Sequence, residues 1–133
     1  MQGVHYTEAS RPPPPLPAPG GGLSVSTSFH RLPQLVEADW GPALSYAFLS
    51  PIFDSISKEG YPAAGFNRRQ LQDAVRTCGF PVIALGGIAP KNMGEVKSMG
   101  FAGAAAIGSV WQTEDPVAAF AQLQDAWLNG AAD

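Results

Sequence analysis

Short apolar runs and helical spacings alternate along the chain, and their order predicts the secondary structure. Five runs have the continuous or alternating apolar pattern of strands. They are residues 3–6, 23–28, 45–50, 81–85 and 103–107. Four segments carry apolar side chains at helical spacing, two of them with a proline at the start. They are residues 32–38, 67–77, 90–97 and 116–128. The predicted order is β-β-α-β-α-β-α-β-α.

This alternation predicts an α/β fold with a parallel sheet, because parallel strands need crossover connections that helices usually supply. Two architectures fit the pattern: an open doubly wound sheet and a (β/α) barrel. Both bind ligands at the carboxyl ends of their strands, so both direct the search for a site to the same end of the sheet.

Residues 11–22 interrupt the pattern with a run of prolines followed by three glycines. Proline removes a backbone donor and glycine adds conformational freedom, so neither a helix nor an internal strand is expected there. The segment is interpreted as a connecting loop that replaces a helix. Its Pro-x-x-Pro spacings leave open a second interpretation, a ligand for a partner domain.

Composition restricts the class of protein. The 133 residues suit a single domain over 1–133, and an apolar content of 45% is enough for a packed core. A net charge of −3 with eight unclustered Lys and Arg residues argues against nucleic acid and anionic membranes as partners. Cys78 is the single cysteine, and the sequence has no signal-peptide or membrane-span pattern, so a cytoplasmic location is expected.

Residues with binding chemistry follow the predicted strands. They are Ser28, His30, Ser50, Ser55, Ser57, Lys58, Gly86, Gly87, Gly108 and Ser109. Serine hydroxyls, a lysine and glycine backbone N–H groups can hold an anion locally without a basic protein. The sequence therefore predicts a phosphate site at the carboxyl ends of the strands.

Several of these residues also have an ordinary structural interpretation. Glycines after a strand can serve only the turn into the next helix, and Lys58 can be a solvated surface cation. His30 is either a structural histidine or a proton carrier, whereas His5 lies within a strand and is interpreted as structural. Three tryptophans are expected to pack in the interior. They are Trp40, Trp111 and Trp127.

Three segments carry a resemblance to the thiamine phosphate synthase and thiazole tautomerase family. They are Leu49–Lys58, Pro81–Ile88 and Ala104–Val110. Residues 3–5 and 26–30 are similar to the fourth and fifth strands of that family, so the resemblance covers nearly the whole chain. It implies a (β/α)₈ TIM barrel of which this chain supplies strands four to eight. Strands one to three have no counterpart here.

The resemblance also implies an activity in thiamine biosynthesis. The synthase joins hydroxymethylpyrimidine diphosphate to thiazole phosphate and releases pyrophosphate with the help of Mg²⁺. Ser28 would face the pyrimidine, and Ser55, Ser57 and Lys58 would cover the pyrophosphate and thiazole. The thiazole phosphate would be held by a second group, namely Gly86, Gly87, Ile107, Gly108 and Ser109. His30 and Lys58 are the expected catalytic residues.

The chain departs from the family pattern at Ser10, which stands where the synthases have a magnesium-binding aspartate. Glu8 is close in sequence but is not expected to be a ligand, so no metal ligands are assigned. His30 matches the position of a proton-transferring histidine in the tautomerase, which leaves that enzyme as an alternative. A non-catalytic phosphate-binding module and a scaffold acting through the proline tract are further alternatives.

The resemblance also leads to an expectation about the extent of the chain. We expect a C-terminal portion of a barrel that arose as a truncated gene model, a decayed copy or a split protein. The split protein would be complemented by an N-terminal fragment, and a homo-oligomer is the other partner considered.

Overall fold

A five-stranded parallel sheet organises the computed structural model, which describes residues 2–18, 20–54 and 65–130. The strands are β1 (Gly3–Tyr6), β2 (Ser24–Phe29), β3 (Tyr46–Leu49), β4 (Val82–Leu85) and β5 (Gly103–Ala105). The helices are α1 (Pro33–Val36), α2 (Arg68–Thr77), α3 (Pro90–Ser98), α4 (Gly108–Trp111) and α5 (Pro116–Asn129). The predicted α/β class is therefore confirmed.

Each strand pairs in parallel with the next strand along the chain, giving the order β1-β2-β3-β4-β5. A doubly wound sheet reverses its strand order at a switch point, and the described strands contain no such reversal. Of the two architectures that fit the sequence, the observed order is that of a (β/α) barrel.

The two faces of the sheet have different surroundings, because successive side chains of a strand point to opposite faces. On β2, Val25, Thr27 and Phe29 are fully buried on one face. Ser28 lies on the other face, in register with Phe48 of β3, and both are only partly buried. The second face therefore leaves polar and aromatic side chains accessible.

Apolar side chains from the helices cover the first face and form the core. Leu71 and Val75 of α2, Met93 and Val96 of α3, and Leu123 of α5 belong to one cluster with the buried strand residues. Burying an aliphatic side chain of this size is worth about 1.5–3 kcal/mol. Helix packing on one face thus holds the strands in the order that brings their carboxyl ends together.

The proline tract, residues 11–22, contains no helix or strand among its described residues, which are 11–18 and 20–22. Leu16 is buried at 5% exposure, and its N–H donates to the carbonyl oxygen of Trp40 at 3.1 Å. Arg11, at the other end of the prolines, donates to the carbonyl oxygen of Ser28. The tract is fastened to the domain at both positions, as expected of a connecting loop.

The C-terminal third differs from the sequence prediction in one element. β5 ends at Ala105 rather than at Ile107, and the next four residues beyond Ile107 form the unpredicted helix α4. A single turn of helix is too short to give a periodic apolar pattern. The expected interior position of Trp111 is also wrong, since this indole is 71% exposed, whereas Trp40 is buried as expected.

Two helix starts are capped by a side chain. The side chain of Asn67 accepts from the N–H of Gln70 at 3.1 Å at the start of α2. Asp115 accepts from Ala118 in the same way at the start of α5, with Pro116 in the first turn. These caps pair backbone donors that a helix start leaves without intrahelical partners.

Candidate active site at the carboxyl ends of the strands

The loops after β2, β3 and β4 are joined to one another by backbone hydrogen bonds. Ser50 donates its N–H to the carbonyl oxygen of Phe29 at 3.2 Å, which connects the ends of β2 and β3. Ile52 and Phe53 donate to the carbonyl oxygens of Leu85 and Gly86 at 3.0 and 3.1 Å. The sheet pairing thus continues into the loops and fixes the end where the predicted site lies.

His30 follows β2 and reaches the neighbouring strand. Its Nδ1 lies 3.2 Å from the main-chain oxygen of Ser50 and 3.3 Å from the Ser50 hydroxyl. The ring itself is exposed at this end of the sheet. An exposed imidazole anchored through one nitrogen can present the other nitrogen to a ligand or exchange a proton with it.

Ser28 lies on the accessible face of the sheet beside His5, which was predicted from the sequence to be structural. The Nε2 of His5 lies 3.1 Å from the Ser28 hydroxyl, and its Nδ1 lies 2.8 Å from the Ser26 hydroxyl. The His5 ring also meets Phe48 edge-on, with ring centroids 5.8 Å apart. His5 therefore belongs to the surroundings of Ser28. The alternation of side chains along β1 and β2 was the signal that could have placed it there.

Gly86 and Gly87 make a close backbone contact with the loop after β3. Both have positive φ values, 102° and 66°, a region that L side chains rarely adopt. A Cβ on Gly86 would lie 2.8 Å from Cα of Pro51, and one on Gly87 would overlap Phe53 and Asp54. Glycine is therefore required here by packing as well as by conformation. The phosphate role predicted for the pair stays a prediction.

Asn92 supports the glycine turn and was not singled out from the sequence. Its Nδ2 donates to the carbonyl oxygen of Gly87 at 2.9 Å, and its Oδ1 accepts from the N–H of Ala89 at 3.0 Å. The side chain is buried. A polar residue in the first turn after Pro90 was the available signal, since such residues often pair backbone groups ahead of a helix.

The last predicted segment lies where β5 gives way to α4. Gly108 is buried at the first position of α4, and Ile107 before it is 58% exposed. The Oγ atom of Ser109 is buried and has no hydrogen-bond partner within the part of the chain that the structure describes. Buried hydroxyls are usually paired, so this one is a polar atom that an acceptor atom of a ligand would satisfy if the side chain turned toward it.

The remaining predicted residues lie outside the described residues. They are Ser55, Ser57 and Lys58. Their assignment to the pyrophosphate and thiazole loop therefore stays a prediction from the sequence.

Arg11 is a half-buried cation at this end of the sheet that the sequence analysis did not assign to the site. Its guanidinium lies 4.6 Å from the Phe29 ring centroid and 5.1 Å from that of Trp40. Burial lowers the pKa of Arg11, and the nearby charge of Glu8 acts in the opposite direction. Arginine keeps its charge despite such a shift. The positive charge of the guanidinium is therefore stabilised by the faces of these two aromatic rings.

The described side chains do not reveal a ligand set for magnesium. Mg²⁺ is usually bound through one or two carboxylates with waters and substrate phosphates. The residues in the described ranges form no group of three or more His, Cys, Asp or Glu side chains that could hold a metal ion. Glu8 accepts from the side chain of Gln34 at 3.3 Å, and the Ser10 hydroxyl pairs with that of Thr7. No chemical step is assigned to a metal here.

A parallel sheet in barrel order, with a histidine, serine hydroxyls and glycine turns at the carboxyl ends of its strands, defines a barrel-type α/β protein with a candidate anion site. A profile of the thiamine monophosphate synthase family matches residues 1–110, and the chain belongs to that family. The predicted family resemblance is thereby confirmed.

Individual relatives agree with the family match. A thiamine-phosphate synthase from Latilactobacillus sakei is 32% identical over 126 residues, covering 94% of this chain and 56% of that protein. One from Chlamydia caviae is 35% identical over 102 residues, covering 76% of this chain and 47% of that protein. The chain spans about half the length of these curated relatives.

Solved structures support the fold. A thiamine phosphate pyrophosphorylase from Pyrococcus furiosus superposes with a TM-score of 0.72 at 23% identity, covering 96% of this chain and 59% of that one. A pyrophosphorylase from Bacteroides thetaiotaomicron gives a TM-score of 0.65 at 24% identity, covering 95% of this chain and 61% of that one. None of the helices within the described ranges is long and apolar enough to cross a membrane.

Proposed function

We propose that this chain supplies the thiazole phosphate half of a thiamine phosphate synthase site. The observation that carries the proposal is the unpaired, buried hydroxyl of Ser109 where β5 meets α4. In this proposal a phosphate oxygen of the ligand accepts from that hydroxyl, and backbone groups at Gly87, Ile107 and Gly108 line the same phosphate. Gly86 shapes the turn that presents them. The coarser statement, a phosphorylated small-molecule ligand, follows from the same residues.

The proposed reaction breaks one bond and forms another at a single carbon. The thiazole nitrogen attacks the methylene of hydroxymethylpyrimidine diphosphate, and the carbon–oxygen bond to the diphosphate breaks as the carbon–nitrogen bond forms. Negative charge develops on the departing pyrophosphate, so a cation beside it lowers the barrier. Lys58, with Ser55 and Ser57 in the same segment, is assigned that role. Mg²⁺ is expected to assist, through ligands that the described residues do not reveal.

On the pyrimidine side, Ser28 is proposed to contact the ring of the diphosphate substrate. His5 supports this assignment, because its Nε2 lies 3.1 Å from the Ser28 hydroxyl and orients it. His30 lies on the same side of the site and is proposed to contact the reacting groups. In a tautomerase-like alternative His30 would move a proton, but the named relatives are thiamine-phosphate synthases and favour the synthase.

The proposal extends to the partner that completes the site. The chain covers 56% of the Latilactobacillus sakei synthase, so the remaining site groups would come from further polypeptide, as an N-terminal fragment or within an oligomer. Such a reaction of small phosphorylated metabolites is proposed to take place in the cytoplasm.

The test is a synthase assay on the full chain with both substrates and Mg²⁺, in which thiamine phosphate is oxidised to fluorescent thiochrome and measured. The assay is run alone and with the part of the Latilactobacillus sakei protein that this chain does not match. Product is expected in the complemented reaction and is expected to fall sharply in Lys58→Ala and His30→Ala. A phosphate-binding module would instead show ligand binding that His30→Ala leaves unchanged and Gly87→Val abolishes. Absence of product in every complemented reaction would rule out the proposed synthase.

A further inference from the structure

The turn between β2 and α1 carries His30, and one side chain from α1 pairs its backbone donors. The Oε1 atom of Gln34 accepts from the N–H of His30 and from the N–H of Arg31, both at 3.0 Å. A single acceptor thus holds two successive peptide groups. Any rotation of either peptide would break one of these bonds.

Gln34 serves the turn and not the start of its own helix. The N-cap of α1 is Leu32, and no side chain of the described residues caps that helix. Both N–H groups that Gln34 accepts from lie before the N-cap, at positions where a helix makes no demand for a capping acceptor. The arrangement therefore restrains the residue that bears the imidazole.

Two other elements fix the orientation of Gln34. Its Nε2 donates to the Glu8 carboxylate at 3.3 Å, and this contact sets which end of the amide faces the turn. Its main-chain oxygen accepts from the indole N–H of Trp40 at 2.7 Å. Because Trp40 is buried, the backbone of Gln34 is tied to the core while its side chain reaches the turn.

Arg11 binds the end of β2 that leads into the same turn. Its Nη1 donates to the main-chain oxygen of Ser28 at 2.7 Å and to the Thr27 hydroxyl at 3.0 Å. The Thr27 hydroxyl in turn donates to the carbonyl oxygen of Tyr6 at 2.8 Å, which joins β2 to β1. The carbonyl before the turn and the two N–H groups within it are thus all engaged by side chains.

We propose that Gln34 is the positioning residue for His30, with Arg11 as the second anchor of the turn. Gln34 keeps the His30 peptide in the orientation that lets Nδ1 reach Ser50, directly after β3. This inference rests on the proposed function only for what His30 does once positioned. The position itself can be measured without substrate.

The test compares variants of the full chain by backbone amide exchange and by NMR of the His30 ring. Gln34→Ala removes the shared acceptor. The His30 and Arg31 amides are expected to exchange at least about fivefold faster, as expected when a net stabilising hydrogen bond is lost. The nuclear Overhauser contact between the His30 ring and Ser50 is expected to disappear. Amides of β4 are expected to keep their protection, which reports that the sheet remains folded.

A matched control and a rescue separate positioning from general stability. Asn67→Ala removes the same kind of acceptor from the start of α2, where Asn67 Oδ1 pairs with Gln70, and is expected to leave the His30 signals unchanged. The double swap Glu8→Gln with Gln34→Glu keeps an oxygen acceptor facing the turn and restores a donor opposite it. This swap is expected to recover the contact between His30 and Ser50.

The proposal is overturned if folded Gln34→Ala keeps both the slow His30 exchange and the contact with Ser50. It is also overturned if Asn67→Ala changes the His30 signals as much as Gln34→Ala does. If the β4 amides of Gln34→Ala lose their protection from exchange, the double swap Glu8→Gln with Gln34→Glu decides the question. Wild-type His30 signals in the double swap support the proposal. A displaced His30 ring in a folded double swap contradicts it. Because no outcome depends on turnover, failure here is distinct from failure of the synthase proposal.

Discussion

His30 and Ser50 join the ends of two neighbouring strands through a contact that determines the chemistry of the imidazole. The main-chain oxygen of Ser50, 3.2 Å from Nδ1, can only accept, so this contact favours the neutral tautomer that carries its proton on Nδ1. The Ser50 hydroxyl, 3.3 Å from the same nitrogen, can accept from it as well. The lone pair of the neutral ring is then on Nε2. An imidazole arranged in this way can accept a proton or a hydrogen bond through Nε2.

The first prediction concerns this tautomer. In the neutral state, ¹⁵N-detected NMR of the full chain is expected to show the His30 proton on Nδ1. Ser50→Ala retains the main-chain oxygen, so the same tautomer is expected in that variant. Observation of the Nε2-protonated form as the dominant neutral species would contradict the assigned contact.

The second prediction concerns the glycine turn after β4. Gly87→Ala places a methyl group against Phe53 and Asp54 at a φ of 66°, so we expect a loss of about 1–3 kcal/mol in the free energy of unfolding. Urea denaturation measures it. Gly79→Ala is the matched control, because a Cβ there would meet no atom of the described residues within 4 Å. Its effect is expected to stay within about 0.5 kcal/mol of zero, or to be slightly stabilising. Equal effects of the two variants would contradict the close packing.

The third prediction separates a ligand role of Ser109 from a structural one. Ser109→Ala removes a buried hydroxyl that has no partner among the described residues, so the ligand-free chain is expected to be as stable as wild type or more stable. Binding of thiamine phosphate is expected to weaken by at least about tenfold, the loss of one charge-assisted hydrogen bond. Calorimetric titration measures the binding. Thr113→Ala, whose hydroxyl donates to the carbonyl oxygen of Val110, is expected to leave the affinity unchanged.

The fourth prediction compares two leucines on α5. Leu123 is 5% exposed within the core and Leu128 is 66% exposed. Leu123→Ala is expected to reduce the free energy of unfolding by about 2–5 kcal/mol, because a cavity adds to the lost burial. Leu128→Ala is expected to change it by less than about 0.5 kcal/mol. A large loss in Leu128→Ala would show that this leucine is buried in solution.

The fifth prediction concerns pH and Cys78. Burial raises the pKa of the Cys78 thiol, although hydrogen bonds with the backbone act in the opposite direction. The unfolded chain therefore ionises this thiol at lower pH than the folded chain does. The protonated thiol therefore stabilises the folded chain below the unfolded pKa of about 8.5. This contribution is lost as pH rises from there through the folded pKa. Cys78→Ser is expected to flatten that fall in the free energy of unfolding above pH 8.5; an identical slope in the variant would exclude the thiol as its source.

Sequence patterns located the strands and the long helices because each carries its own periodic signal. Val82–Leu85 reads as a buried strand without any knowledge of its neighbours, and residues 67–77 as a helix. The short α4 escaped because the four residues Gly108–Trp111 contain too little periodicity. The glycine turn was recognised from its residues, but its contact with Phe53 depends on a loop more than thirty positions earlier in the chain.

Interactions between side chains on different elements were the least predictable part of the site. His5 was interpreted as structural because a histidine within a strand is usually satisfied by its neighbours. Its partners, Ser26 and Ser28, lie 21 and 23 positions away and become neighbours only through the register of β1 and β2. The roles of Gln34 and Arg11 likewise depend on contacts that local sequence does not encode.

Thermal unfolding of the full chain with and without thiamine phosphate tests the central claim most directly. A ligand that binds only the folded state raises the free energy of unfolding by about 2.7 kcal/mol at one hundred times its dissociation constant. A cooperative transition that moves upward by several degrees with thiamine phosphate, and much less with unphosphorylated thiamine, is the predicted result. A cooperative transition that thiamine phosphate leaves unmoved, at concentrations up to the millimolar range, would contradict the claim that this chain carries the thiazole phosphate site.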